Sequence, residues 1–120
     1  MTSITTNDMP AVLIFVAQPS EKQVVFNIFC GLEEEGIPYC LLEKADGNAA
    51  LLGRLAAKGS PLNVGIGVNS SERRVVLHHR DLDCGAPLFS LTEDDYCSPE
   101  QLRRLGSNAG RLVKGDPLLI

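Results

Sequence analysis

Three consecutive carboxylates, Glu33, Glu34 and Glu35, are the residues of this 120-residue chain best suited to chemistry. They close the stretch 20–38, in which apolar residues recur four positions apart, as on one face of an amphipathic helix. The glycine and proline that follow end this predicted helix, so the carboxylates occupy its last turn.

The helix dipole already places partial negative charge at that end, and each acidic residue there costs about a few tenths of a kcal/mol. Two interpretations of this acidic end remain open. It is a solvated helix terminus, or its carboxylates contact a bound cation or a basic partner surface.

Two other segments have residue types that could bind or react, but their surroundings argue against a site. Gly65-Ile66-Gly67 lacks the third glycine of a dinucleotide fingerprint, because position 70 is Ser, and a strand rather than a helix is predicted to follow. His78 and His79 are neighbours on a predicted strand and must point to opposite faces. No phosphate-loop or nucleophile motif occurs in the sequence, so we expect no catalytic and no cofactor-binding residue.

The composition argues against two classes of interaction, binding to nucleic acid and insertion into a membrane. The net charge of −4, the absence of a basic run and an aromatic content of 5% argue against nucleic acid. No apolar run approaches the about 18 residues of a membrane span, and the first ten residues lack the pattern of a secretory signal. The cysteines show no C-x-x-C spacing, so we expect reduced thiols and a cytoplasmic protein: Cys30, Cys40, Cys84 and Cys97.

Eight elements are predicted to position these residues, in the order β-α-β-α-β-β-β-α. The first β-α-β unit makes a parallel pair, and the short turn at 69–72 makes an antiparallel hairpin. We therefore expect a three-layer α/β/α domain with a mixed five-stranded sheet over residues 11–117, preceded by a disordered tail at 1–10. The predicted strands are 11–16, 37–42, 62–68, 73–79 and 88–91, and the predicted helices follow Ser20, Asn48 and Ser98.

Four stretches together resemble one protein family. They are GLEEEGIPY at 31–39, GNAALLGRLAAKGSPLNVGIGV at 47–68, APL at 86–88 and QLRRLGSNAGRLVKGDPL at 101–118. In combination, the chain resembles the small subunit of the reactivating factor of diol and glycerol dehydratases. The resemblance implies the fold of the dehydratase medium subunit, anticodon-binding-domain-like, with strand order 2-1-3-4-5 and strand 4 antiparallel.

The resemblance also implies a function. The family's small subunit is non-catalytic and pairs with a large chaperone-like ATPase subunit, two copies of each. The complex releases damaged coenzyme B12 from an inactivated dehydratase, with which it associates transiently, while the small subunit exchanges with the dehydratase medium subunit. The chain alone is then expected to bind neither cobalamin nor nucleotide. Glycerol and propane-1,2-diol dehydratase remain open as the client, as does association with a bacterial microcompartment.

The same resemblance assigns a role to the acidic helix end. A glutamate of the family's G-L-E-E motif completes a magnesium site built mainly by the large subunit, and the motif places that role on Glu34. Glu33 and Glu35 are expected to be flanking charge. Because relatives often carry a neutral polar residue at the position of Glu35, the choice among the three carboxylates stays open. The alternative function is a stand-alone small α/β enzyme or ligand-binding domain.

Overall fold

The computed structural model describes residues 10–19 and 21–120. The predicted tail at 1–10, except Pro10, and the predicted helix cap Ser20 lie outside the described residues. The strands are β1 (Val12–Ala17), β2 (Tyr39–Lys44), β3 (Val64–Asn69), β4 (Arg74–His79) and β5 (Phe89–Thr92), and the α-helices are α1 (Lys22–Glu34), α2 (Ala49–Gly59) and α3 (Pro99–Lys114). The observed strand bounds lie within two residues of the predicted ones. None of the described helices is long and apolar enough to cross a membrane.

The five strands form one mixed sheet in the order β2-β1-β3-β4-β5. Strand β1 pairs in parallel with β2 and with β3, whereas β4 is antiparallel to both β3 and β5. The expected strand order and the single reversed strand are confirmed. Because α1 lies between β1 and β2 in the chain, its C-terminal turn lies close to the N-terminal end of β2.

The helices cover the two faces of the sheet unequally. Helices α1 and α3 pack side by side on one face, over the larger core cluster, which includes Ile14, Ile28 and Ile66. Helix α2 covers the other face, over a smaller cluster around Phe15 and Leu52. The expected three-layer arrangement is confirmed, and it brings α3 next to the acidic end of α1.

The glycines of β3 accommodate helix α2. A Cβ atom added at Gly65 would collide with the backbone of Ala57, and one added at Gly67 would collide with the carbonyl oxygen of Ala49. Gly53, inside α2, lies against Gly67 and the side chain of Val76. These glycines therefore serve close packing between helix and sheet, and the space next to them is filled by α2 rather than open to a nucleotide.

A short 3-10 helix, Glu93–Cys97, precedes α3 and was not predicted from the sequence. Its Tyr96 is fully buried, and the phenol donates a hydrogen bond of 2.6 Å to Glu21 Oε1 at the start of α1. Burial, with the carboxylate of Glu21 next to the hydroxyl, raises the pKa of Tyr96. This contact ties the segment before α3 to the beginning of α1.

Candidate functional site

The acidic end of α1 has a regular helix-terminating geometry. Gly36 adopts a positive φ of 71°, and its N–H donates to the carbonyl of Glu33 at 3.1 Å. The N–H of Ile37 donates to the carbonyl of Leu32, also at 3.1 Å. This is a Schellman motif, which fixes the direction in which each neighbouring side chain leaves the helix. The three carboxylates consequently point to three different surroundings.

Glu35 is bound between α1 and α3. Its carboxylate accepts hydrogen bonds from Ser107 Oγ (2.5 Å), Arg111 Nε (3.1 Å) and Lys114 Nζ (2.8 Å), and its side chain is 11% exposed. The hydrogen bond from Lys114 lowers its pKa most, that from Ser107 next, and together with Arg111 they outweigh burial and bring the pKa to about 2. Glu35 is therefore more than flanking charge, because its oxygens are engaged by its own chain.

Glu33 is tied to the first residue of β2. The hydroxyl of Tyr39 donates to Glu33 Oε2 at 2.6 Å, and the Tyr39 ring stacks on Phe29 with centroids 4.5 Å apart. Burial, followed by this hydrogen bond to a carboxylate, raises the pKa of Tyr39 to about 12. Glu33 itself is exposed, and its hydrogen bond to Tyr39 links the end of α1 to β2 across the turn between them.

Glu34 also reaches solvent, with a single contact to the described part of the chain. Arg103 Nε of α3 lies 3.3 Å from Glu34 Oε2, with side-chain exposures of 57% for Arg103 and 52% for Glu34. An exposed pair of this kind contributes about 0–1 kcal/mol and is readily rearranged. Among the three carboxylates, Glu35 is engaged within the chain, whereas an external cation or donor can reach the oxygens of Glu34 and of the exposed Glu33.

Two glycines bring Arg103 and Glu34 together. A Cβ atom added at Gly31 would collide with the carbonyl oxygen of Arg103, and one added at Gly106 would collide with that of Ile28. The backbones of α1 and α3 thus touch where they cross, one turn before Glu34. The position of the exposed carboxylate depends on this close crossing as well as on the Glu35 contacts.

Within residues 10–19 and 21–120, no group of three or more metal-ligating side chains is close enough to hold a metal ion. As an exposed carboxylate, Glu34 fits Mg²⁺ in one respect, since Mg²⁺ takes carboxylate oxygen and is commonly bound through one or two carboxylates. The described part of the chain can thus contribute a ligand to a site completed elsewhere.

The remaining candidates from the sequence form no site. His78 is fully buried, with Nε2 3.1 Å from the carbonyl oxygen of Cys84, whereas His79 is partly exposed and its Nδ1 accepts the backbone N–H of Asp81. The two imidazoles are not brought together. All four cysteines are free thiols.

Sequence reasoning missed the residues of α3 that contact Glu34 and Glu35: Arg103, Ser107, Arg111 and Lys114. Their spacing of four, four and three is a sign of one helix face, and it could have marked a polar stripe on α3. No local sequence pattern could have predicted that this stripe contacts a helix end about 70 positions earlier in the chain.

Comparison with known proteins shows which family this chain resembles. The model of the family described as dehydratase medium subunit matches residues 9–119. The chain is 42% identical over 109 residues to the propanediol dehydratase-reactivating factor small subunit of Citrobacter freundii, covering 90% of this chain and 89% of the relative.

Two solved structures have the same fold. One is a glycerol dehydratase reactivase, with a TM-score of 0.85, 39% identity, and coverage of 92% of this chain and 97% of the other. The second is a diol dehydratase-reactivating factor complexed with ADP and Mg²⁺, with a TM-score of 0.83, 35% identity, and coverage of 92% and 98%. The chain therefore belongs to the dehydratase medium-subunit family and, within it, to the small subunits of diol and glycerol dehydratase-reactivating factors.

Proposed function

We propose that this chain is the non-catalytic small subunit of an ATP-dependent factor that releases damaged coenzyme B12 from an inactivated diol or glycerol dehydratase. The main support for the proposal is that the chain is similar to two kinds of protein. It matches the family model described as dehydratase medium subunit over residues 9–119, and it matches a reactivating-factor small subunit over 90% of its length. A subunit with the medium subunit's fold can take its place against a shared partner. Exchange of one for the other then opens the dehydratase and lets the cobalamin leave.

In this proposal ATP hydrolysis belongs to a large partner subunit, in a complex of two large and two small chains located in the cytoplasm. The sequence lacks a phosphate loop, and the glycines of β3 that could suggest one are packed against α2. The chain's own contribution is a binding surface that is released when the dehydratase medium subunit takes over.

We further propose that Glu34 supplies one carboxylate ligand to a Mg²⁺ ion held mainly by the large subunit. Support comes from its exposure, from its single described contact, to Arg103, and from the ADP and Mg²⁺ bound in a related factor. Mg²⁺ bound there would link the two chains and make their affinity depend on the large subunit's nucleotide. Glu35 and the crossing at Gly31 would hold the helix end that presents Glu34.

Reconstitution tests the overall function. The purified chain alone should neither hydrolyse ATP nor restore an inactivated dehydratase. Mixed with the large subunit, ATP and Mg²⁺, it should restore activity and release cobalamin, and omission of either chain should abolish both effects. Nucleotide hydrolysis or small-molecule binding by the chain alone would favour the alternative of a stand-alone enzyme or ligand-binding domain.

The cation role has its own test. Glu34→Gln should reduce the Mg²⁺-dependent part of the affinity for the large subunit about 10-fold or more, since a ligand to the metal is lost. Asp46→Asn is a matched control, because Asp46 is also exposed but follows the C-terminal end of β2, whereas Glu34 precedes its N-terminal end. Association measured by calorimetry with MgADP and with EDTA separates the two variants. An unchanged Mg²⁺ dependence in Glu34→Gln would refute the assignment.

A further inference from the structure

Phe26 lies on the solvent side of α1 with 61% of its surface exposed. It is the one aromatic among the exposed large hydrophobic residues of the described chain. The other exposed residues of this kind are aliphatic, and two of them, Leu51 and Leu55, lie on α2, which covers the opposite face of the sheet. Single exposed apolar residues are ordinary on protein surfaces, but aromatic residues are enriched in interfaces relative to the rest of the surface.

Phe26 shares a helix face with Glu34. Phe26, Cys30 and Glu34 are four residues apart, so they follow one another along the side of α1 that faces away from the core. The two ends of this row are eight residues, or about 12 Å, apart along the helix axis. We call this row, Phe26–Cys30–Glu34, the outer face of α1.

The size of a stable interface decides whether a partner bound at Glu34 also reaches Phe26. A standard interface buries about 800 Å² on each partner, which corresponds to a circular patch of about 16 Å radius. A chain that meets Glu34 near the centre of such a patch therefore also covers the position of Phe26. Aromatic residues supply many of the dominant contacts in interfaces of this size.

We propose that the outer face of α1 docks the large subunit, with Phe26 as an apolar anchor and Glu34 as the contact to its cation. This inference rests on the proposed function, because the occupant is the chain that holds the Mg²⁺. Phe26 supplies affinity that does not depend on metal, whereas Glu34 supplies the part that does. The two contributions can thus be measured separately.

The experiment compares three variants of the full chain: Phe26→Ala, Glu34→Gln and Leu55→Ala. Each is titrated with the large subunit of a diol or glycerol dehydratase-reactivating factor, once with MgADP and once with EDTA. Burial of the exposed part of a phenylalanine, about 120 Å², predicts an affinity loss of about 10- to 100-fold in Phe26→Ala. That loss should be similar with MgADP and with EDTA, and the affinity of Leu55→Ala should stay within about 2-fold of wild type.

The outcomes keep this inference distinct from the proposed function. Wild-type affinity in Phe26→Ala, or an equal loss in Leu55→Ala, would overturn the docking face even if Glu34→Gln loses its Mg²⁺ dependence. A loss confined to Phe26→Ala, with the Mg²⁺ dependence of Glu34→Gln intact, would support the docking face and refute the cation role. Thermal unfolding of free Phe26→Ala should match wild type. A fall of several degrees would show that its own chain covers Phe26, and would also overturn the inference.

Discussion

Glu35→Gln removes one charge from the contact between α1 and α3 while keeping the shape of the side chain. The lowering of the Glu35 pKa from an ordinary 4.5 to about 2 corresponds to at most about 3 kcal/mol of folding free energy. Arg111 and Lys114 are about one-third exposed, so solvent screens part of this, and we expect a loss of about 1–2 kcal/mol at pH 7. For a chain of this length, Tm should fall by about 4–10 °C.

The effect of Glu35 should depend on pH in a defined direction. Its pKa is lower in the folded chain than in the unfolded chain, so the unfolded state binds the proton first as the pH falls. The stabilisation is present in full above about pH 5 and is lost as the pH falls from 4.5 towards 2. The stability difference between wild type and Glu35→Gln should thus shrink to less than half of its neutral value at pH 3.

Urea unfolding followed by circular dichroism at pH 7, 5, 4 and 3 measures this difference directly. Other carboxylates titrate in both proteins, so their contribution cancels when the two are compared at each pH. Glu34→Gln is the matched control on the same helix turn, and it should lose less than about 0.5 kcal/mol at pH 7, since its pair is exposed. A Glu35→Gln variant as stable as wild type, or a difference that does not change with pH, would refute the reasoning.

Three further substitutions test the contacts that hold α1, and with it Glu34, in position. Gly31→Ala should destabilise the chain by about 1–3 kcal/mol in urea unfolding, because the added methyl group meets the carbonyl of Arg103; unaltered stability would contradict the close crossing. Arg103→Gln should change stability by less than about 1 kcal/mol and, because it frees Glu34 Oε2, should leave Mg²⁺-dependent association unchanged or tighter; weaker association would show that Arg103 itself contacts the partner or orients Glu34. Tyr96→Phe should cost about 1 kcal/mol by loss of its hydrogen bond to Glu21, and a wild-type Tm would argue against that bond.

The arrangement of helices and strands could be predicted because each element carries its own signal. The apolar run at 11–16 indicates a strand buried on both faces, and the short turn at 69–72 requires an antiparallel pair next to β3. The short 3-10 helix was missed because its formation depends on Tyr96 entering the core, a long-range contact with no local pattern. Gly65 and Gly67 indicated a weakened strand, and only the position of α2 shows that they accommodate a helix.

The different surroundings of the three glutamates could not be predicted for a similar reason. In the local sequence the three glutamates look alike, as negative charges at a helix end. The residues that bind Glu35, which are Ser107, Arg111 and Lys114, come from a helix more than 70 positions later in the chain. For Glu35, the unfavourable interaction with the helix dipole is offset by side chains of the chain's own α3, not by a second protein.

The energy of the acidic end then limits which experiments can test the role of Glu34. An acidic residue in the last helical turn costs about 0.3–1 kcal/mol, and an exposed ion pair such as that with Arg103 returns about 0–1 kcal/mol. The two terms nearly cancel, so the stability of the free chain neither requires nor excludes a cation at Glu34. Only a measurement that varies Mg²⁺ and the partner chain together can separate a metal ligand from a solvated carboxylate. Glu35 differs, because its contacts lie wholly within the chain and its contribution must be measurable in the free protein.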